Sequence, residues 1–145
     1  MGVRKRVAVV ADSNFLILLA EGKITPSMII EAVDYAYELY VPRAVLEELS
    51  RIESSAPQLK VRRLAARARR LLEEGVIQAR IVEEDAHEPV DDYLVNLALR
   101  MKRDGLEVIV ATSDRELRRK LRRRGVPSLF YREEGRRLVA EWFNP

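Results

Sequence analysis

The sequence contains no cysteine and only one histidine, His87. Without cysteine the chain can form no disulfide, no zinc site with thiolate ligands and no cysteine nucleophile. One histidine is also too few for a metal site that is built from imidazoles. We therefore expect any metal or acid–base chemistry in this protein to use carboxylates.

Long apolar runs are missing as well. The chain has no stretch of about eighteen uncharged apolar residues, and the short run 7–11 lacks the features of a signal peptide. We expect a soluble, cytoplasmic protein that does not interact with a membrane. The length of 145 residues is typical of one domain, so a single domain over 1–145 is predicted.

Charge is plentiful but unevenly distributed. Asp, Glu, Lys and Arg make up 34% of the chain, a composition that favours ion-pair networks at high temperature and suits a thermophilic source. Segment 115–137 contains ten Lys or Arg and three acids, so the remainder has a net charge of −4 within a total of +3. Basic side chains are therefore concentrated near the C-terminus.

Strand and helix patterns alternate along the chain. The β-branched runs 7–11 and 107–111 are typical of central parallel strands that are buried on both faces. The candidate strands are 7–11, 38–41, 76–82, 107–111, 128–131 and 138–142, and the candidate helices are 13–20, 27–35, 42–53, 58–73, 89–103 and 114–123. This alternation predicts an α/β fold with helices on both faces of the sheet.

Two aspartates follow the two most apolar strands. Asp12 comes directly after 7–11, and Asp114 comes shortly after 107–111. Because ligands bind outside the carboxyl ends of the strands in parallel α/β sheets, both side chains are expected at the same edge. Each aspartate is about equally well placed to cap the helix that follows it. Their joint placement favours a shared site.

Helical periodicity selects one acid from each of two acidic pairs. In helix 42–53 the helical wheel puts Glu48 at the margin of the buried stripe and Glu47 nearly opposite. In helix 89–103 it puts Asp91 at the margin and Asp92 on the other side. Glu48 and Asp91 are the candidates, although each alone would be an ordinary exposed or first-turn acid.

A cluster of four carboxylates must hold protons or bind a cation, because like charges repel and burial disfavours ionisation. Ligands that are all oxygen select hard ions such as Mg²⁺ or Mn²⁺, which commonly act on phosphate. Such an ion would activate water, so no His, Ser or Cys base is required. The candidates for additional ligands are Glu116 and Asp92, and the candidates for orienting ligands or phosphate are Ser13, Asn14 and Thr112.

These supporting residues also have purely structural interpretations. Ser113 and Glu116 have the spacing of a capping box at a helix start, which we favour over a ligand role for Glu116. Ser13, Asn14 and Thr112 could equally bind turn backbone.

The motifs together resemble the PIN-domain nucleases, over nearly the whole chain. The four motifs are Asp12-Ser13-Asn14 after a strand, Pro42-x-x-Val45-x-x-Glu48-Leu49, Asp91-x-x-Leu94 with Ala98, and Thr112-x-Asp114. The resemblance implies a three-layer α/β/α sandwich around a short, mainly parallel sheet. It also implies cleavage of single-stranded RNA that depends on Mg²⁺ or Mn²⁺, with Asp12, Glu48, Asp91 and Asp114 as catalytic metal ligands.

Within this superfamily the C-terminal part is the most specific. Segments 111–121, 125–127 and 136–138 are similar to archaeal relatives of the ribosomal-RNA processing endonuclease of the small-subunit processome. VapC toxins share the acids but not so readily this C-terminal part.

The candidate helix 114–123 has only Leu117 and Leu121 to bury, so its basic side chains are expected to face solvent beside Asp114. Such a surface would bind RNA phosphates, with an affinity that depends on salt. The alternative is a solvated helix that forms ion pairs with other elements. The residues predicted to bind RNA are Arg115, Arg118, Arg119 and Arg122.

The leading hypothesis is an endoribonuclease in rRNA processing, whose partners would be RNA and a pre-ribosomal particle. The alternatives are a VapC-type toxin with an antitoxin partner, and a catalytically silent PIN scaffold that binds RNA or protein. A phosphatase with an Asp nucleophile is disfavoured, because Asn14 stands where a second Asp is expected. A homodimer is also considered, and Val139, Trp142 and Phe143 would suit its contact.

Overall fold

The computed structural model describes residues 6–142, and strands and helices alternate within that range. The strands are β1 (Arg6–Ala11), β2 (Ala36–Pro42), β3 (Arg80–Val82), β4 (Glu107–Ala111), β5 (Ser128–Arg132) and β6 (Arg137–Glu141). The helices are α1 (Ser13–Glu21), α2 (Pro26–Val33), α3 (Arg43–Ser55), α4 (Leu59–Glu73), α5 (Val90–Arg103) and α6 (Arg115–Arg123).

All of these strands belong to one sheet, in the order β3-β2-β1-β4-β5-β6. The first five are parallel to their neighbours, and β6 is antiparallel to β5 at the edge. The central pair β1 and β4 runs in register from Val7 opposite Glu107 to Ala11 opposite Ala111. Strands β1 and β4 therefore end side by side. We call the end of the sheet where the parallel strands have their C-terminal residues the carboxyl edge.

Helices cover both faces of the sheet. Helices α1, α3 and α4 contact one another, and α5 contacts α6. From β1 the chain adds β2 and β3 on one side, and it then adds β4 and β5 on the other side of β1. Because crossovers between parallel strands are right-handed, the helices of the first set (α1, α3 and α4) and those of the second (α5 and α6) lie on opposite faces. Residues 7–11 and 108–111 are almost completely buried between them. The predicted three-layer α/β/α sandwich is confirmed.

The third strand is shorter than predicted. Residues 76–79 lie outside β3, and the N–H groups of Val76 and Ile77 both donate to the carbonyl of Leu71. Gly75 adopts a φ of 74°, a left-handed conformation that suits glycine and turns the chain back over the end of α4. The backbone of residues 76 and 77 thus terminates a helix and cannot join the sheet.

Between residues 6 and 142, no helix is both long and apolar enough to cross a bilayer. Of the residues considered for a dimer contact, Val139 is half-buried in β6 and Trp142 is exposed. Phe143 lies outside the described residues.

Candidate active site at the carboxyl edge of the sheet

Asp12 and Asp114 each lie between the end of a strand and the start of a helix. One oxygen of Asp12 accepts the N–H of Phe15 at 2.8 Å, and one oxygen of Asp114 accepts the N–H of Leu117 at 2.9 Å. Both aspartates are thus N-caps, of α1 and α6 respectively. Because capping uses one oxygen of each carboxylate, it fixes the side chain and remains compatible with binding a ligand.

Thr112 links these two aspartates. Its side chain is fully buried, its Oγ1 accepts the N–H of Asp114 at 3.1 Å, and it forms a hydrogen bond to the Asp12 carboxylate. The N–H of Thr112 donates to the carbonyl of Leu129 at 2.9 Å, which anchors the threonine to β5. One hydroxyl therefore holds both acids next to each other at the ends of β1 and β4.

Glu48 reaches the same edge from α3. The buried hydroxyl of Ser13, at the start of α1, donates a short hydrogen bond to Glu48 Oε1. Glu47 is exposed whereas Glu48 is half-buried, as the helical wheel predicts. Sequence reasoning placed Ser13 near the site but did not identify Glu48 as its partner, since the two residues are 35 positions apart.

Asp91 lies in the first turn of α5. Burial raises the pKa of its carboxyl group, and the negative charges of Asp114 and Glu48 raise it further, while Lys120 opposes them. The adjacent Asp92 instead forms an ion pair with Lys120 at 3.2 Å. Asp91 therefore interacts with the other candidate acids, and Asp92 is compensated by a lysine on α6.

The electrostatics of Asp12 connect the same group of acids. Burial raises the pKa of Asp12 to about 6, and the charges of Glu48 and Asp114 add to this increase. The hydrogen bonds from Thr112 and Phe15 lower the pKa but do not cancel the effect of burial. Four elements thus direct mutually repelling carboxylates toward one place, and no basic side chain within residues 6–142 forms an ion pair with Asp12.

The chemistry of these side chains fits Mg²⁺ or Mn²⁺, because every donor is oxygen. Within residues 6–142, however, no three Asp, Glu or His side chains approach closely enough to form a ready metal site. Mg²⁺ needs no such cage, because it commonly binds one or two carboxylates and keeps waters or phosphate oxygens as its other ligands. The four acids are therefore a suitable but open set of ligands.

Two of the supporting residues are exposed to solvent. Glu116 is exposed in the first turn of α6, and Asn14 is exposed without a side-chain hydrogen bond to any residue in the described part of the chain. The predicted capping box is wrong. Asp114 rather than Ser113 caps α6, and the Ser113 hydroxyl accepts the N–H of Tyr131 at 3.3 Å.

The basic helix α6 differs from its predicted exposure at one position. Arg118 does not face solvent: its guanidinium lies 3.4 Å from the centre of the Phe130 ring and donates to Glu141 at 3.1 Å. Arg122 also binds Glu141, at 2.8 Å. Arg115 and Arg119 are exposed and form no ion pair with any residue between 6 and 142. Helical periodicity could not show that Arg118 would meet an aromatic ring and an acid from the last two strands.

A family model and several known proteins match most of the chain. The family model described as PIN like domain matches residues 9–134, which include all four candidate acids. The chain belongs to this family. This match confirms, at the level of the family, the resemblance seen in the four motifs. PIN domains are generally nucleases.

Individual PIN proteins resemble the chain over most of its length. It is 29% identical over 127 residues to Ribonuclease VapC4 of Methanocaldococcus jannaschii, an alignment that covers 87% of this chain and 91% of that protein. The solved structure of the PIN domain endonuclease Utp24 matches with a TM-score of 0.65 and 20% identity, over 94% of this chain and 92% of that one. A domain of a functionally unknown protein from Methanocaldococcus jannaschii matches with a TM-score of 0.54 and 18% identity, over 88% and 91%. These two structural likenesses show the fold.

Proposed function

We propose that this PIN-domain protein is an endoribonuclease that depends on Mg²⁺ or Mn²⁺ and hydrolyses phosphodiester bonds in single-stranded RNA. The observation that carries the proposal is the convergence of acids from four elements at the carboxyl edge, where the pKa values of Asp12 and Asp91 are raised. Carboxylates whose pKa values are raised by burial and by neighbouring acids are typical of functional sites. The name of the sequence relative, a ribonuclease, supports RNA as the substrate.

In this proposal Asp12, Glu48, Asp91 and Asp114 would hold the metal. When bound, such an ion polarises a phosphoryl oxygen and lowers the pKa of water, which supplies the nucleophile. Its positive charge would also favour the ionised forms of Asp12 and Asp91, whose pKa values are raised in its absence.

The surrounding residues would keep the acids in position. Ser13 fixes the orientation of Glu48, and Thr112 fixes Asp12 relative to Asp114. Helices α1, α5 and α6 begin at this edge, so their positive N-terminal ends face the place where a phosphate would bind. Substrate binding and metal binding would thus use the same edge of the sheet.

The predicted RNA-binding arginines fall into two pairs with different surroundings. Arg115 and Arg119 are exposed beside Asp114 and would contact phosphates near the cleaved bond. Arg118 and Arg122 bind Glu141, so we assign them the additional task of holding β6 against α6. The contribution of this second pair to RNA affinity would therefore be smaller.

Ribosomal-RNA processing remains our preferred biological role, on the resemblance of the C-terminal segments. The 29% identity to Ribonuclease VapC4 favours a second candidate, a VapC-type ribonuclease of a toxin–antitoxin pair. Crosslinking of an inactive variant to RNA in its own cells separates the two roles. Pre-ribosomal RNA is expected among the crosslinked fragments, and its absence would contradict the processing role.

The test of the chemistry is the Asp114→Asn variant. Asparagine keeps the N-cap of α6 but removes the charge, so the fold should persist while cleavage of single-stranded RNA with Mn²⁺ falls by about a hundredfold or more. The matched control is Asp34→Asn, at the opposite edge of the sheet, where a φ of 62° suits asparagine. Equal cleavage by Asp114→Asn and the parent would show that the assigned site is wrong.

A further inference from the structure

A basic groove runs between α5 and α6, outside the cluster of acids. A cavity of about 340 Å³ is lined by residues of both helices and shares Asn96 and Arg124 with a second cavity of about 520 Å³. The two cavities are therefore adjacent, and we call them together the α5–α6 groove. The basic residues that line it are Arg100, Lys102, Arg103, Lys120, Arg123 and Arg124.

Two contacts between elements show where the groove begins and ends. At one end Lys120 of α6 forms its ion pair with Asp92 of α5, directly beside Asp91. At the other end Lys102 of α5 donates to the carbonyl of Gly125, just after α6, at 3.2 Å. Because α5 and α6 both start at the carboxyl edge, the groove leads away from the candidate active site.

Most of the positive charge in the groove is not neutralised. Arg100 binds Glu84 and Lys120 binds Asp92, but Arg103, Arg123 and Arg124 are exposed and form no ion pair within residues 6–142. Basic side chains in the last turns of α5 and α6 also balance the helix dipoles. That effect stabilises the helices, but it does not account for three uncompensated arginines around a single groove.

The groove is lined by apolar side chains as well as by basic ones. Val95 is buried and Leu99 is half-buried, whereas Asn96 is exposed. Arginines would neutralise phosphates, and Leu99 would contact sugar or base surface of a single strand. An α6 of nine residues is about 14 Å long, which suits a few successive nucleotides.

We propose that the α5–α6 groove binds the single-stranded RNA that flanks the cleaved bond, through Arg103, Arg123 and Arg124. The identity of the occupant rests on the proposed ribonuclease function, and the groove extends that function from the scissile phosphate to the neighbouring nucleotides. The groove residues act by binding and positioning the strand. They do not contact the reacting atoms.

The test measures binding without cleavage. A fluorescein-labelled oligouridylate that is long enough to reach beyond the groove is titrated with protein in EDTA at several KCl concentrations, and anisotropy is recorded. The triple variant Arg103→Gln, Arg123→Gln, Arg124→Gln should bind about tenfold or more weakly, and the slope of log K against log salt should fall by about 2, because each lost phosphate contact on a single strand removes about 0.7.

The control removes the same charge from the other face of the sheet. The triple variant Arg51→Gln, Arg63→Gln, Arg70→Gln changes exposed arginines of α3 and α4 and should bind like the parent. Thermal unfolding of both triple variants shows whether either has lost its fold. An unchanged salt slope in the groove variant, or an equal loss in the control, would overturn the proposal.

Two further readouts separate the occupant from the enzymatic function. If oligoglutamate binds to the groove as tightly as the oligouridylate does, the groove serves an acidic protein segment and the RNA assignment is wrong. Cleavage of the same oligonucleotide with Mn²⁺ is measured separately. A parent protein that binds through the groove but does not cleave would contradict the proposed ribonuclease activity and support the groove as an RNA-binding surface.

Discussion

Two charged regions of this molecule are built in opposite ways. Between α3 and α4, Arg69 contacts Glu53 and Glu73, each at 2.8 Å, and lowers the pKa of Glu53. At the carboxyl edge the acids face one another, and the pKa of Asp12 rises to about 6. The first region places acids around an arginine, whereas the second concentrates like charges and partly buries them.

The difference indicates what each region contributes. Paired charges on a helix surface are screened by solvent and add little to stability. Crowded acids destabilise the metal-free fold, so such a cluster is expected only where it serves a ligand or a reaction. Removal of charge should therefore change the stability of the protein in opposite directions in the two regions.

The largest stability effect is expected from Asp12→Asn. Asparagine can still accept the N–H of Phe15, and it removes a charge that the folded state disfavours above pH 6. The free energy of unfolding in EDTA at pH 7.5 should rise by up to about 3 kcal/mol. Urea denaturation measures it. A variant that is less stable than the parent would contradict the electrostatic description of the site.

The pH dependence of that difference should have a defined sign. In the unfolded state Asp12 loses its proton near pH 3.8, whereas in the folded state it keeps the proton to about pH 6. Raising the pH across this interval therefore destabilises the folded parent, and the Asp12→Asn variant does not lose this stability. Relative to Asp12→Asn, the parent should be destabilised progressively between about pH 4 and 6 and then level off. Urea denaturation at a series of pH values measures the difference, which cancels the opposite contribution of paired acids such as Glu53. A difference that stays constant over this range would disprove the raised pKa.

The smallest effect is expected in the region of paired charges. Arg69→Gln removes both ion pairs of a partly exposed arginine and should lower the free energy of unfolding by less than about 1 kcal/mol. The loss should shrink in high salt, because exposed charges are screened. Urea denaturation at two salt concentrations measures it, and the RNA cleavage assay should show no change. Loss of cleavage would mean that the two regions are not independent.

Much of the fold follows from local sequence patterns. The apolar runs 7–11 and 107–111 predicted the two central strands, because only a strand buried on both faces needs such continuous β-branched residues. The positions of Asp12 and Asp114 at the carboxyl edge follow from those strands. The helical wheel also predicted the exposure of Glu47 and Glu48, because burial in α3 follows the period of the helix.

Several unpredicted features depend on contacts between different elements of the fold. The bond from Ser13 to Glu48 and the contact of Arg118 with Phe130 and Glu141 each join separate helices and strands. The periodicity of apolar residues within one element does not indicate which helix packs beside which strand. The α5–α6 groove could not be predicted from the sequence for the same reason, because it forms only where the two helices lie side by side.

The pairing of β1 with β4 has a consequence for the time at which the protein becomes active. These strands are neighbours in the sheet but about 100 positions apart in the chain, so Asp12 and Asp114 meet only after most of the polypeptide has been synthesised. Contacts between such distant segments also form slowly, because a long loop must close first. A nascent chain that ends before β4 therefore lacks part of the candidate active site, so any activity of that site would arise only when synthesis is nearly complete.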